Sequence, residues 1–315
     1  MDAVAPLSVI ICTHNPRADY FGRCLAALQA QTAPRSQWEL VVVDNLSDEP
    51  LAGRLDLGWH AGARLVREEK LGLTPARLRG IREARGEVLV FVDDDNVLDP
   101  DYLATAARIA GERPFLGSWS GQCLPSFEQT PEAWTERYWG ALCIRRFDSE
   151  VWSNLPRLPA TMPAGAGLCA RRAVARRYLE LHDGGVRRFQ LDRTGGSLIS
   201  GGDNDLAACA CDLGLGMGLM PELKLQHLIP PQRLTADYIE RLVEGIEFSS
   251  AVLDASRGQA GPPRSRLGRA VDFLRVARLR APHNRILAAA YRGRDRAARF
   301  LESSQTQAHV AAEPG

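Results

Sequence analysis

The chain lacks several things. No run of 18 uninterrupted apolar residues occurs in its 315 residues, so no membrane-spanning helix is predicted. No basic stretch followed by an apolar core precedes the first strand-like segment, so a secretory leader is not expected. There is no C-x-x-C pair. The seven cysteines (Cys12, Cys24, Cys123, Cys143, Cys169, Cys209 and Cys211) are odd in number, and several sit in apolar runs. That usage predicts reduced, mostly structural thiols and a cytoplasmic setting, with peripheral contact at the inner face of a membrane left open. Charge of one sign is not in excess: the net charge is +1, which leaves no whole-chain footprint for nucleic acid. Internal repeats are absent. What remains is 45% hydrophobic and 24% charged, the composition of an ordinary soluble enzyme. The length suits one large domain or a core with an appendage.

Charge is unevenly placed. From Arg257 to Arg299 there are twelve Arg, no Lys and two acids (Asp272 and Asp295), a net of +10 that leaves −9 on the remainder. Residues 266–281 and 283–301 read as Arg-rich amphipathic helices divided by Pro282, with Leu267, Val271, Leu274, Ile286, Leu287 and Phe300 available for an apolar face. Three partners suit such a segment: an anionic membrane surface, the acidic body of the same chain, or a second copy in a homodimer.

The first 110 residues alternate strand and helix signals. Leu7 to Cys12, Glu39 to Asp44, Arg64 to Arg67 and Glu87 to Val92 read as strands. Helices are expected over 19–31, from Thr74-Pro75 to Ala84, and from Asp99-Pro100 to about Ala110. This β-α-β alternation predicts an α/β fold with a mostly parallel sheet flanked by helices, followed by a C-terminal helical extension. Strands are expected at 115–124, 165–170 and 223–228, and helices at 203–213 and from Thr235 to about Leu253. The aromatic-rich segment 125–160 suits a binding cleft, and the Gly-rich polar segment 182–202 reads as a loop. Gly214 to Gly218 follows a helix, so it is not a dinucleotide fingerprint.

The strand from Glu87 to Val92 ends in Asp93-Asp94-Asp95-Asn96. A buried apolar strand that ends in three carboxylates must release them at the sheet edge, where a cation can offset their mutual repulsion. Mg²⁺ and Mn²⁺ take oxygen ligands from one or two carboxylates and from substrate phosphates. The inference is a site for a metal-bound phosphate ester. Asp44 ends another strand, and Thr13-His14-Asn15-Pro16 follows the first one; parallel strands bring both to the same rim. Asp203 opens a helix after two glycines, and Asp205 points to a different side of that helix.

These motifs, in this order, resemble the family 2 glycosyltransferases of GT-A fold. Ser8-Val9-Ile10-Ile11-Cys12-Thr13-His14-Asn15 looks like the family's opening strand and nucleotide-contacting turn, which implies donor contacts at Thr13 and Asn15. Val42-Val43-Asp44-Asn45 resembles the second strand, whose acid (here Asp44) contacts the base. Gly72 to Gly80 resembles G-x-x-x-A-R-N-x-G, with Leu78 in place of the Asn and Arg77 kept as a pyrophosphate partner. Lys70 stands where an Asn commonly precedes that motif. Asp93-Asp94-Asp95 matches the D-x-D signature, which implies nucleotide contacts at Asp93 and Asp94 and metal ligation by Asp95 and Asp93. Gly201-Gly202-Asp203-Asn204-Asp205-Leu206 resembles G-E-D-x-[DE]-L, with Gly202 replacing the Glu, so Asp203 is the implied base. His227 resembles a downstream His that completes the metal site.

The resemblance spans residues 7–250. It implies a Mn²⁺- or Mg²⁺-dependent, inverting hexosyltransferase of glycan or polysaccharide biosynthesis. Its donor would be a nucleotide-diphosphate sugar, by default a UDP-sugar, and its acceptor a saccharide or lipid-linked hydroxyl. The expected organisation is a GT-A domain at 1–256, with a nucleotide-binding half (1–110) and an acceptor half (111–256). A linker (257–263), the Arg-rich extension (264–302) and a disordered tail (303–315) follow.

Two other readings fit part of the pattern. Val92-Asp93-Asp94-Asp95-Asn96-Val97 also satisfies the D-x-D-x-[TV] pattern of haloacid-dehalogenase-type phosphatases, with Asp93 as nucleophile. That strand normally opens the fold, whereas three strands precede it here. A non-catalytic nucleotide-binding scaffold could use the same fold.

Overall fold

Alternation at a period of two builds the centre of the protein. The computed structural model describes residues 7–156, 158–187, 191, 198–261 and 265–310, and the side chains of 304–310 lie outside that description. Strands β1 (Leu7–Thr13), β2 (Trp38–Asp44), β3 (Ala63–Arg67) and β4 (Val88–Val92) run parallel in the order β3-β2-β1-β4. Val9, Ile11, Leu40, Val42 and Val90 face one side of the sheet. Ile10, Val41, Val43, Leu89 and Phe91 face the other. Helices cover both faces, so these strands are buried on each side and read as continuous apolar runs.

Helices α1 (Ala18–Gln29) and α3 (Tyr102–Glu112) lie on the first face through Phe21, Cys24, Leu28, Leu103 and Ile109. Helices α2 (Leu73–Glu83), α4 (Arg172–Asp183) and α5 (Gly202–Asp212) lie on the second through Ala76, Ile81, Val174, Tyr178 and Leu206. Helix α2 approaches the sheet closely at Gly80, where a Cβ would fall 2.5 Å from the Ile10 side chain.

Beyond β4 the sheet is mixed. It continues through β8 (Cys169–Arg171), β6 (Leu116–Phe127), β9 (Gly216–Ile229) and β5 (Asn96–Leu98), with β7 (Val151–Ser153) also on β9. Strand β8 is antiparallel to β4 and β6, while β6 and β9 are parallel. The strand expected at 223–228 is therefore much longer, and it takes in the glycine-rich run. Trp152 of β7 packs over Gly216 and Gly218, where a Cβ on either would meet it at 3.2 Å. The expected strand at 165–170 begins only at Cys169, because Gly167 turns the chain with φ +71°.

The chain divides into two units. The first comprises 1–130, 142–190 and 202–230 and holds the whole sheet; the second comprises 131–141, 191–201 and 231–315. In the second, α6 (Ala236–Ser256) starts at Thr235, whose hydroxyl accepts from the Tyr238 N–H. Helices α7 (Arg266–Ala277) and α8 (His283–Val310) follow. Helix α8 continues past 302, where the sequence pattern places a disordered tail; 311–315 lie outside the described residues. So do 262–264, at the expected linker, and 188–190 and 192–197 of the expected loop. No helix among the described residues is long and apolar enough to cross a membrane.

Candidate active site

Register brings the strand ends together. Thr13 lies beside Asp44, and Ile11 beside Val92, so the ends of β1, β2 and β4 share one rim. After Val92 the chain turns through Asp93–Asp95 into β5. Asn96 locks that turn: its side-chain oxygen accepts from the Asp93 N–H at 3.3 Å, and its own N–H donates to the Asp93 carbonyl at 3.0 Å. The Asn96 amide also donates to Asp95 Oδ1 at 3.0 Å. Strand pairing sets Asn96 opposite His227 of β9, which brings His227 Nε2 to 3.4 Å from Asp95 Oδ2. Both side chains are buried. Thr13 Oγ1 donates to Asp94 Oδ2, which ties the β1 turn to the acidic one.

Asp44 is differently engaged. Its Oδ1 accepts from the Ser47 N–H at 3.0 Å, and its Oδ2 from the Leu51 N–H at 3.1 Å and Arg67 Nη1 at 3.0 Å. Burial pushes its carboxyl up, but these bonds together outweigh burial and hold it below the usual carboxylate range. Asn15 has φ +50° and brackets the neighbouring turn, accepting from the Asp48 N–H at 2.9 Å and donating to the Asp48 carboxylate at 3.0 Å. A cavity of about 470 Å³ opens beside it, lined among others by Asn15, Phe21, Ser47, Asp48 and Arg54. Arg77 is buried on α2. The start of α2 is set by Asn45, which sequence reading passed over. Its side-chain oxygen accepts from Gly72 N–H at 2.8 Å while its amide donates to the Lys70 carbonyl at 2.8 Å. Gly72 has φ +133°, a conformation that needs glycine.

Asp203 and Asp205 part company on α5. Asp205 is buried in a two-bond pair with Arg187, at 2.7 and 2.9 Å. Asp203 accepts from the Asn204 N–H through Oδ1 and turns Oδ2 onto Gly165, where a Cβ would sit 2.5 Å away. Cys143, with φ +63°, lies within the electrostatic reach of both His227 and Asp203. A hydrogen bond from Cys123 draws the Cys143 thiol below the ordinary range against burial, and Arg145 and His227 act in the same direction. Cys123 itself is pushed up by that bond and by burial. Nothing in cysteine spacing signals this pair, which is twenty positions apart in sequence.

Among the described residues, no group of three or more His, Cys, Asp and Glu side chains forms a ready-made metal cage. A buried carboxylate converging with an imidazole fits a hard cation that takes its remaining ligands from water and substrate phosphates. The structure brings Asp95 and His227 together. It places Asp93 and Asp94 in the same turn and Asp203 beside Gly165.

The model of the family described as "Glycosyl transferase family 2" matches residues 8–157, from β1 to β7. Residues 8–157 belong to glycosyl transferase family 2. Asp203 and His227 lie beyond the stretch by which the family 2 domain is recognised. Among curated relatives, the glycosyltransferase AglE of Haloferax volcanii is 35% identical over 92 residues, 28% of this chain and 30% of that protein. The glucosyl-dolichyl phosphate glucuronosyltransferase of the same organism is 26% identical over 144 residues, 44% of this chain and 46% of that protein. The chain thus spans less than half the length of either relative. Solved structures extend the likeness over the whole fold. The mannosyltransferase PcManGT of Pyrobaculum calidifontis, in complex with GDP-Man and Mn²⁺, has a TM-score of 0.56 at 21% identity. That match covers 99% of this chain and 81% of that one. Residues 1–349 of S. aureus TarS with UDP-GlcNAc give 0.51 at 15% identity, covering 90% and 79%. The chain has the GT-A fold, α/β with helices flanking the sheet and further helices at the C-terminal end.

Proposed function

We propose that the chain is a metal-dependent, inverting glycosyltransferase that moves a sugar from a nucleotide-diphosphate donor to an acceptor hydroxyl. One observation carries this reading: Asp95 and His227 converge at 3.4 Å at the end of β4, on the rim of a family 2 domain. A UDP-sugar is the default donor; UDP-GlcNAc bound to TarS and GDP-Man bound to PcManGT support the class without selecting the base. The acceptor class is a saccharide or lipid-linked hydroxyl in glycan or polysaccharide assembly.

Each residue has a task in this reading. Asp95 Oδ2 and His227 Nε2 would hold Mn²⁺ or Mg²⁺, with Asp93 a further oxygen donor to metal or ribose. When bound, the cation supplies positive charge against the departing diphosphate. Asn96 fixes the Asp95 carboxylate through Oδ1 and leaves Oδ2 directed at His227. Arg77 adds a planar cation for phosphate oxygens. Thr13, Asn15 and Asp44 bound the nucleoside end, and Asp94 is held toward it by Thr13. Asp203 takes the proton from the acceptor hydroxyl as that oxygen attacks the anomeric carbon opposite the leaving diphosphate. A single in-line displacement needs one base, and it inverts the centre.

The test is sugar transfer from a panel of UDP- and GDP-sugars with Mn²⁺ or Mg²⁺, with and without excess EDTA. Loss of transfer in EDTA, restored by added cation, supports the reading. Full activity in EDTA removes the metal. Nucleotide binding seen as thermal stabilisation, with no transfer from any donor, favours the scaffold instead. An aspartyl-phosphate trapped on Asp93 would assign the chain to the phosphatase class.

A further inference from the structure

The Arg-rich extension separates into two helices with different surroundings. On α8 three of the five arginines, Arg285, Arg292 and Arg294, are matched by acids of α6. Arg285 bonds Asp237 and Glu240 at 2.7 and 2.8 Å. Arg292 bonds Glu240 and Glu244 at 2.8 and 3.0 Å, and Arg294 bonds Glu247 at 2.6 Å. Those acids form one stripe along α6. Gly293 lets the two helices touch, since a Cβ there would fall 2.3 Å from the Glu244 carbonyl. Ile286 is buried, and Phe300 meets Phe248 edge-on at 5.7 Å. Helix α8 is thus a structural partner of α6, and two of the residues expected on an apolar face there, Ile286 and Phe300, are already packed within the chain.

Helix α7 is the reverse. Leu267, Val271 and Leu274 follow i, i+4, i+7 spacing and make one stripe, with Phe273 beside it. They are exposed: Leu267 by 76%, Phe273 by 72%, Leu274 by 55% and Val271 by 39%. The inward side is held by Asp272, which is buried and lies 3.4 Å from Arg275. It is the only acid on α7. Arg266 and Arg269 lie on the Phe273 side of that face and Arg278 and Arg280 follow the end of the helix; all four are exposed, and none of them forms an ion pair among the described residues.

We infer that the outer face of α7 is a membrane-surface anchor: Leu267, Val271, Phe273 and Leu274 enter the headgroup boundary of an anionic bilayer while the flanking arginines engage lipid phosphates. An apolar stripe edged by Arg is the pattern of helices that lie in that boundary. Anionic lipid would supply the counter-charge that Arg266, Arg269, Arg278 and Arg280 lack among the described residues. A second copy is the weaker occupant, because a two-fold contact sets the same face against itself and brings Arg against Arg. The inference stands apart from the catalytic reading, since nothing in it involves the rim of β1, β2 and β4.

Flotation of the full chain with vesicles decides it. The wild type is expected to float with 70:30 phosphatidylcholine:phosphatidylglycerol vesicles and to be released as salt rises. It should bind pure phosphatidylcholine at least tenfold less. The triple variant Leu267→Ser, Phe273→Ser, Leu274→Ser should lose at least tenfold in binding at unchanged melting temperature, because all three side chains are already in water. Arg269→Glu with Arg278→Glu should lose a similar factor on anionic vesicles alone. A wild type that does not float, or a triple variant that floats as well as wild type, overturns the inference. Light scattering that shows a dimer dissolved by the triple variant, with no flotation, also overturns it and gives the face to a second copy. Flotation that ignores lipid charge refutes the role of the arginines.

Discussion

The tips of β2 and β4 flank β1 and both end in aspartate, yet they put that aspartate to opposite uses. After β2 the chain loops back and aims two backbone N–H groups at Asp44, and Arg67 adds a third donor. A carboxylate has about four lone-pair sites, so most of its capacity serves the loop. After β4 the chain turns at once into β5. Asp95 Oδ1 accepts from the Asn96 amide, and its Oδ2 faces an imidazole from β9. The same contrast recurs within one turn of α5, where Asp205 is locked to Arg187 and Asp203 turns onto a glycine. In each pair one carboxylate has both oxygens held by donors of its own fold, and the other turns one oxygen toward a neighbouring group: Asp95 Oδ2 toward His227, and Asp203 Oδ2 toward Gly165.

The α5 pair offers the hardest test. Asp203→Asn should lower transfer by about 10²- to 10⁴-fold, the usual weight of a general base, with the melting temperature held. Asp205→Asn should instead leave Arg187 buried without its countercharge and cost about 3–5 kcal/mol of stability. Urea unfolding and donor turnover on both variants separate the two roles. If both lose activity and neither loses stability, the distinction is wrong.

Next in size is Asp95→Asn. On the order of 100- to 1,000-fold should be lost in transfer, the scale of removing one electrostatic stabiliser. Stabilisation of the chain by Mn²⁺ together with a nucleoside diphosphate should vanish in a thermal scan, while the apo melting point stays put. Retained cation-dependent stabilisation would place the metal elsewhere and leave the β4 tip as a mere turn.

Gly165→Ala is smaller and subtler. The added methyl displaces the Asp203 carboxylate without altering its chemistry. A loss of about 10- to 100-fold in kcat, with donor affinity intact, is expected from misplacement alone. Unchanged kcat would mean that Asp203 does not work from where it now lies.

What the sequence could convey follows the range of each interaction. Period-two alternation in β1, β2 and β4 and the acids at their ends are local, and they predicted the sheet and its rim. Strand β9 was cut short because Gly216 and Gly218 are poor strand formers. Their reason for being there, Trp152, is more than sixty residues away. The contacts Asp203–Gly165, Asp205–Arg187 and Cys143–Cys123 join distant segments and leave no local trace. The acids Asp237, Glu240, Glu244 and Glu247 of α6 stand at helical spacing, a stripe that sequence reading passed over. Only packing could say that they meet α8 and leave α7 uncovered.

The smallest effect sharpens the opening contrast through pH. The Asp44 carboxyl is pushed up by burial but held, on balance, below its ordinary value by Ser47, Leu51 and Arg67. A carboxyl depressed in the fold favours the folded state wherever it is ionised. That contribution is fully present above about pH 4, the unfolded value, and it is lost as pH falls through the lower folded value. Asp44→Asn removes the charge at every pH and turns an amide N–H₂ toward donors. It should cost about 2 kcal/mol at pH 7, the scale of hydrogen bonds to a charged group. Below about pH 4 the wild type loses its own contribution, so the gap between the two urea midpoints should narrow there. A gap that stays constant down to pH 3 would mean that the β2 loop holds a neutral side chain equally well. Asp44 would then be free to act like Asp95, and the difference between the two tips would not be one of donors.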